Sequence, residues 1–462
     1  MSATRRLPVT DSAPAARAAG RRLLLAGLIA SGVVAGIYLV LVVTHPVTWW
    51  LDPVDLTVYR GAGLVVRQVS PFYDPHRTAP LYDWPGYHGL RYIYPPIAAM
   101  LFAVLSVISL HSLVRAWAVV NVAALLAVIW MLYGGLGYRR GASRLGLTLL
   151  AGAAVFFMEP VPRTIALGQV ELVLMALVVC DMCQPDSRRW KGAGVGLAAG
   201  IKMVPLLFIA YLIVTRRFRQ AAVASAVFGA TVAAGFVVLP RDSSQWWLHG
   251  LFARGSYGGN VSWAGNQSLL GIIARADGPA GHTLWLAAAA ITAVVGLAVA
   301  AAFYRAGYPV AGLLGVALTA LLVSPISWDH HWVWIVLAVP LLAHYAVQFR
   351  GLARWALAGL AVLLAAVFGA WPGSLWGEPA DLGSWSRGVI WLPPNGLNRE
   401  FGWHGSQLLT GNAYVLTGIV LFLLLLVLAL RLPQRPGVTT RPALAPAAHP
   451  ETTAHPETTA PR

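Results

Sequence analysis

The segment Asp52-Pro-Val-Asp55-Leu-Thr-Val-Tyr59-Arg60 sets two carboxylates, a phenol ring and a guanidinium close together, and Pro71-Phe72-Tyr73-Asp74 and Tyr92-Ile-Tyr94-Pro95-Pro96 follow it. A carboxylate just beyond an apolar run, flanked by aromatic rings and an Arg, can take a proton from a hydroxyl at a lipid–water boundary. Aromatic faces beside a carboxylate also suit a sugar ring. The same residue types equally build an interfacial aromatic belt in which Asp52 or Asp55 caps a helix.

A second group, Ser324-Pro325-Ile-Ser327-Trp328-Asp329-His330-His331-Trp332, lies between two apolar runs. Three consecutive residues do not readily converge on one ion and no further ligands are evident, so neither a metal nor a cofactor is expected. A His giving a hydrogen bond or a proton to an anionic leaving group is the expected use; a polar helix start edged by interfacial Trp is the alternative. Gly168-Gln169-Val-Glu171, preceded by Glu159 and Arg163, opens another run. Lys202-Met203-Val204-Pro205 puts a cation at membrane depth, where it can meet a lipid phosphate, snorkel, or pair with Glu171 or Asp181. Asn266-Gln267-Ser268 sits in a loop whose Gly and Trp content suits a lid. There Asn260-Val-Ser262 and Asn266-Gln-Ser268 also match the short N-glycosylation pattern.

The elements that must hold these groups follow from the composition. Of 462 residues, 58% are hydrophobic and 11% are charged, with 19 Trp, against about a quarter charged in soluble domains. An ordinary soluble enzyme is excluded, and the chain reads as an all-α polytopic membrane protein. Lys and Arg number 33 against 17 acids, a net charge of +16; in such a chain the basic excess first fixes topology, and nucleic acid is not an expected partner. Glu159, Glu171, Asp181 and Asp329 lie in or at the edge of apolar runs, where ionisable groups are functional candidates. Asp11, Asp186, Glu451 and Glu457 read as solvated charges. Cys180 and Cys183 lack the second ligand pair that a metal site needs. Gly192-Ala-Gly194-Val-Gly196-Leu-Ala-Ala-Gly200 follows no strand, so it fits close helix packing better than nucleotide binding.

Residues 1–22 are polar and basic, ending in Arg17, Arg21 and Arg22. The apolar run that follows, about 23–43, is long enough to span a bilayer and too long for the core of a cleaved signal peptide. A retained first helix with a cytoplasmic N-terminus is expected, and 44–110 becomes the first extracytoplasmic loop. Further apolar runs lie near 115–137, 143–158, 167–183, 191–214, 220–240, 283–304, 309–323, 331–347, 353–371 and 410–431. Basic clusters at Arg139/Arg140/Arg144, Arg188/Arg189/Lys191, Arg216/Arg217/Arg219, Arg305, Arg350/Arg354 and Arg431/Arg435 are expected on the cytoplasmic face. The stretch 96–110 is then re-entrant or interfacial. The run 191–214 starts and ends at basic clusters, so it enters and returns, broken near Lys202 and Pro205. The domain 23–431 is predicted to hold about ten full transmembrane helices plus re-entrant and broken elements. Its extracytoplasmic loops, including 241–282 and 372–409, form a cap, and both termini are cytoplasmic. The tail 432–462, with its near-repeat of His-Pro-Glu-Thr-Thr-Ala, cannot bury a core and is expected to be disordered.

Taken in order, several elements resemble the integral-membrane GT-C glycosyltransferases, and within them the actinobacterial polyprenol-phosphate-mannose-dependent α-mannosyltransferases of the PimE type. The elements are Asp55-Leu-Thr-Val-Tyr59, Tyr94-Pro95-Pro96 after a Pro-Phe-Tyr-Asp element, Gly168-Gln169, Lys202 with Pro205, Asn266-Gln267-Ser268, and Ser324-Pro325 through His331. Glu171 departs from the pattern, where an amide such as Asn would stand. The resemblance implies a GT-C fold in the plasma membrane with an extracytoplasmic active site. It implies inverting transfer of mannose from polyprenyl-phosphate-mannose to a mannosylated glycolipid acceptor, a phosphatidylinositol mannoside, through an α-1,2 linkage. Asp55 is then the base on the acceptor hydroxyl, and His330, His331, Lys202 and Arg163 hold the donor phosphate as it leaves. Tyr59, Arg60, Tyr94, Gln169, Glu171, Asn266, Gln267, Trp328 and Asp329 bind sugar or acceptor. A lipomannan- or lipoarabinomannan-branching mannosyltransferase and a polyprenyl-phosphate arabinofuranosyltransferase remain open within the class. A lipid or solute transporter is the reading from another class, with Glu171, Lys202 and Asp329 as a charge relay. The lack of internal symmetry among the runs favours the enzyme.

Overall fold

Apolar segments in lipid must satisfy their own backbone groups, and helices do so. The chain is accordingly helical through most of the residues that the computed structural model describes, which are 14–44, 53–69, 81–82, 90–249, 260–277, 281–370 and 387–432. Asp52, Asp74, Asp83, the Pro71-Phe72-Tyr73 element and both tail ends lie outside these residues. The order begins with α1 (Pro14–Thr44), α2 (Val54–Val69), α3 (Pro96–Leu105), α4 (Leu110–Gly135) and α5 (Ala142–Val155). It continues with α6 (Pro160–Leu167), α7 (Glu171–Met182), α8 (Ala193–Ile201), α9 (Leu206–Val214), α10 (Phe218–Val238) and α11 (Pro240–Trp247). Then come α12 (Leu269–Asp277), α13 (His282–Arg305), α14 (Pro309–Val323) and a 3₁₀ segment, Asp329–Leu337, that runs into α15 (Ala338–Gln348). The last are α16 (Leu352–Val367), α17 (Ser406–Gly411) and α18 (Ala413–Leu430).

Among the described residues, 6 helices are long and apolar enough to cross a membrane, or up to 7 if the bent pair α6–α7 counts as one span. This corrects the expectation of about ten full spans, which took each apolar run as one bilayer-spanning helix. Several runs are apolar enough but wind into helices that are too short. The 14, 15 and 16 residues of α5, α14 and α16 rise only about 21–24 Å, against a hydrocarbon core of about 30 Å. The run 167–183 bends by 117° between α6 and α7. The run 191–214 divides into α8 and α9, 9 residues each.

Contacts between chain segments define two ends of the bundle. A Cβ on Gly20 would meet Ser143, so the start of α1 lies on the start of α5; one on Gly135 would meet Val310 and Cys183, joining the end of α4 to the start of α14 and the end of α7. Tyr138 Oη lies 3.0 Å from His344 Nδ1. Arg219 donates to the Asp186 carbonyl, Lys191 Nζ to Asp186 Oδ1 at 2.8 Å, and Arg305 Nη2 to the Val214 carbonyl at 2.9 Å. The basic segments thus gather at one end. The opposite end holds the first turn of α2, the α6–α7 elbow, the tip of the α8–α9 hairpin and the start of the 3₁₀ segment.

A layer of loops fixes that second end. Asn266 donates to the carbonyls of Val261 (2.9 Å) and Pro325 (3.1 Å) and accepts from Ser327 N (3.0 Å). Gln267 donates to the Gly411 carbonyl at 2.8 Å and accepts from Val415 N at 3.2 Å. Arg275 Nε donates to Asn412 Oδ1 at 2.9 Å. Loop 260–268 is therefore pinned both to the segment that enters the 3₁₀ turn and to the top of α18.

Candidate active site

Asp55 and Tyr59 stand one turn apart on α2 and share a face. Close approach of α2 to α3 needs Gly63, where a Cβ would lie 2.5 Å from the Phe102 backbone. The Tyr59 ring stacks on Phe102 at 4.5 Å and meets Tyr94 edge-on at 5.1 Å. Its hydroxyl donates to Gln169 Oε1 at 2.5 Å and lies 2.8 Å from the Tyr94 hydroxyl. With Oε1 occupied, the amide nitrogen of Gln169 is the group left to face the neighbouring Asp55 carboxylate. Burial lifts the Asp55 carboxyl above the ordinary carboxylate range, opposed by His330, Gln169 and Lys202 and assisted by Glu171. Tyr59→Phe removes the donor that fixes the amide. It should lower turnover about tenfold with little change in folding, read as kcat on the purified variant.

The elbow that delivers Gln169 depends on Gly168, which ends α6 in the left-handed region at φ 69°, ψ 34°. A Cβ there would collide with Leu56 Cβ on α2. The Gln169 carbonyl accepts from Trp117 Nε1 at 3.0 Å, which holds the elbow against α4. Gly168→Ala combines left-handed strain with overpacking and should cost about 2–5 kcal/mol. A thermal unfolding midpoint equal to the parent's would show the elbow to be more tolerant than this.

Glu171 opens α7 at the elbow, and Lys202 occupies the extended break between α8 and α9, at φ −146°, ψ 133°. Their side chains form an ion pair. Lys202 Nζ also lies 2.9 Å from His331 Nε2 and 5.4 Å from the centre of the Tyr94 ring. Glu171, His330 and His331 each offer one ligand atom within 4.8 Å of the others. The Lys202 ammonium already fills contacts to two of the three, so an entering divalent cation would have to displace it.

The 3₁₀ segment runs for 9 residues, where runs beyond three or four are uncommon. Its threefold winding sends consecutive side chains in three directions. Asp329 Oδ2 accepts from Arg163 Nε at 3.1 Å, and Asp329 Oδ1 lies 3.0 Å from His330 Nδ1. His331 turns the other way, to Lys202 and Glu171, with the two imidazole planes at 85°. His330 Nε2 and Glu171 Oε2 are buried without a hydrogen-bond partner among the described residues. Buried polar atoms left unpaired beside a carboxylate and two cations fit groups that await a polar ligand.

Asp55, Tyr59, Tyr94, Arg163, Gln169, Glu171, Lys202, Asp329, His330 and His331 are thus brought together. Arg60 is directed elsewhere, to the carbonyls of Ile108 (3.0 Å) and Ser106 (3.3 Å) beyond α3. Asn266 and Gln267 are fully buried and engaged in the loop layer. Trp328 stacks edge-on with Trp263 at 5.6 Å, beside the site. Glu159, Trp391 and Tyr414 are additional. Trp391 Nε1 donates to Glu159 Oε1 at 3.2 Å and the Tyr414 hydroxyl to Glu159 Oε2 at 3.1 Å. Glu159 is visible in the sequence as an acid at the border of an apolar run; its two partners carry no such signal.

A helical membrane bundle that gathers a carboxylate, phenols and cations at one end fits the integral-membrane glycosyltransferases of the GT-C type. Residues 92–325 match glycosyltransferase family 87, and the chain belongs to that family. It is 30% identical over 325 residues, 67% of this chain and 75% of the relative, to a polyprenol-phosphate-mannose-dependent alpha-(1-2)-phosphatidylinositol mannoside mannosyltransferase of Mycobacterium tuberculosis. It is 33% identical over 295 residues, 63% of this chain and 69% of the relative, to a polyprenol-phosphate-mannose-dependent alpha-(1-2)-phosphatidylinositol pentamannoside mannosyltransferase of Mycolicibacterium smegmatis. No solved structure matches the chain.

Proposed function

We infer that this chain is a polyprenol-phosphate-mannose-dependent α-(1→2)-mannosyltransferase that acts on a phosphatidylinositol mannoside. The observation that carries this reading is the 30% identity over 67% of the chain to an enzyme of that description. The gathered site supports it, because its groups match what the transfer demands. The Asp55 carboxylate takes the proton of an acceptor hydroxyl while that oxygen bonds to the anomeric carbon. The bond from the anomeric carbon to the phosphate oxygen breaks, its electron pair leaves with polyprenyl phosphate, and the anomeric centre inverts. His330 Nε2, Arg163 and Lys202 receive the phosphate charge, while Tyr59 and Gln169 aim Asp55. Tyr94 and Trp328 offer ring edges and faces to the sugars.

The gathering of basic segments at the opposite end supports a plasma-membrane setting with that end cytoplasmic and the site on the extracytoplasmic side. Both termini then lie in the cytoplasm. The test is incubation of purified protein with labelled polyprenyl-phosphate-mannose and a panel of phosphatidylinositol mannosides. Formation of an α-1,2-linked product is expected, and absence of transfer to every acceptor would overturn the reading.

A further inference from the structure

Behind the site lies a further buried carboxyl that the proposed transfer does not use. Glu159 is 0% exposed and immediately precedes α6, where its own N–H donates to the Phe368 carbonyl at 2.6 Å at the end of α16. Its carboxyl receives Trp391 Nε1 and the Tyr414 hydroxyl, one on each oxygen, and lies beside the Asp329 carboxyl, with Arg163 joining the two residues: its N–H donates to the Glu159 carbonyl at 3.0 Å and its Nε to Asp329 Oδ2 at 3.1 Å. Two carboxyls so placed must share a proton, since both cannot ionise side by side. The other titratable groups facing the pair are Arg163, which binds Asp329 Oδ2, and His330, whose Nδ1 lies 3.0 Å from Asp329 Oδ1. Burial holds Glu159 well above the ordinary carboxylate range, with Asp329 adding to the effect, so Glu159 is the partner that carries the proton.

We propose that Glu159 is a positioning residue of the transfer reaction: as a neutral acid held by Trp391 and Tyr414, it fixes Asp329, and through Asp329 it aims His330 and Arg163 at the departing phosphate. The proposal rests on the function inferred above. Without Glu159, the Trp391 and Tyr414 donors lose their acceptor and Asp329 is free to turn towards them. Asp329 would then release the hydrogen bonds that orient His330 Nδ1 and Arg163 Nε. Gly388 supplies an independent handle. Its backbone, φ −70° and ψ 164°, is open to any residue, but a Cβ there would drive into the Tyr414 hydroxyl and touch the Glu159 carboxyl carbon at 3.5 Å.

The experiment compares the full-length parent with Glu159→Gln, Glu159→Asp, Glu159→Ala and Gly388→Ala in mannose transfer from labelled polyprenyl-phosphate-mannose to a phosphatidylinositol mannoside, scaled to folded protein. The Gln amide keeps an acceptor oxygen for Trp391 Nε1 and offers N–H to Asp329 as the shared proton does, and the Tyr414 hydroxyl can turn to accept, so kcat should stay within about threefold of the parent. Asp is one methylene short and Ala has no group to offer. Both should lose about tenfold to a hundredfold in kcat with KM for either substrate nearly unchanged. Gly388→Ala should fall between these limits. A Gln variant as poor as Ala would overturn the neutral-acid role. Asp and Ala variants with parental kcat per folded molecule would reduce Glu159 to a structural residue while leaving the inferred function standing. A parent that transfers no mannose would remove the inferred function and this proposal with it.

Discussion

Asp55→Asn should lower turnover with polyprenyl-phosphate-mannose by about a hundredfold to ten-thousandfold, the range spanned by a general base, while donor binding and folding persist. The Asn side chain keeps the shape and one acceptor oxygen for Gln169 but cannot take up the hydroxyl proton. The pH dependence follows with a definite sign. A base works in its ionised form, and burial raises the Asp55 carboxyl above its ordinary value. Activity should therefore fall on the acid side as pH drops through that raised value, above the ordinary carboxylate region near about 4. Measurement of kcat/KM against pH checks this. An acid limb at or below the ordinary carboxylate value, or an Asp55→Asn variant with parental turnover, would remove Asp55 as the base.

The second large effect is expected at the buried pair of Glu171 and Lys202, whose side chains are 7% and 14% exposed. Lys202→Met leaves the Glu171 charge without its counter-ion and should cost about 3–5 kcal/mol of stability, as should Glu171→Gln through the stranded ammonium. The double variant, Lys202→Met with Glu171→Gln, strands no charge and should recover most of that loss. Transfer should not return with it, because the departing phosphate has lost a cation. Thermal unfolding of the four proteins, set beside their activities, closes the cycle. Additive losses in the double variant would mean that the two side chains do not depend on each other.

This pair also decides between the two acids, Glu171 and Asp181, that the sequence offers to Lys202. In the fold Glu171 is the one that faces the lysine, which lies 31 positions away. The rest of the site was legible wherever a polar group interrupts an apolar run, because such a group is costly there without a partner. Gln169, Lys202 and the Asp329-His330-His331 group announce themselves in or at the edge of such runs, and Asp55 through its aromatic neighbours just beyond one. So does the return of 191–214, bracketed by two basic clusters. Arg60, Asn266 and Gln267 carry equally polar side chains, yet the fold uses them to satisfy backbone carbonyls and amides, a choice that depends on loops distant in sequence. The number of spans was not legible for a related reason. Hydropathy measures how apolar a run is, whereas its length as a helix is set by the tertiary contacts that bend it at Gly168 or break it at Lys202.

The shortness of α16 has its own consequence for how two lipids meet here. It starts just after the basic Arg350 and ends where the Phe368 carbonyl receives Glu159 N, and it exposes Leu352 (85%), Trp355 (69%) and Val362 (69%) along its length. Its 16 residues rise only about 24 Å, several ångströms less than a hydrocarbon core of about 30 Å. Lipid that conforms to so short a wall must thin around it, at a cost of fractions of a kcal/mol per ångström of mismatch. Thinning of this kind would make the rate of transfer sensitive to the acyl-chain length of the surrounding membrane.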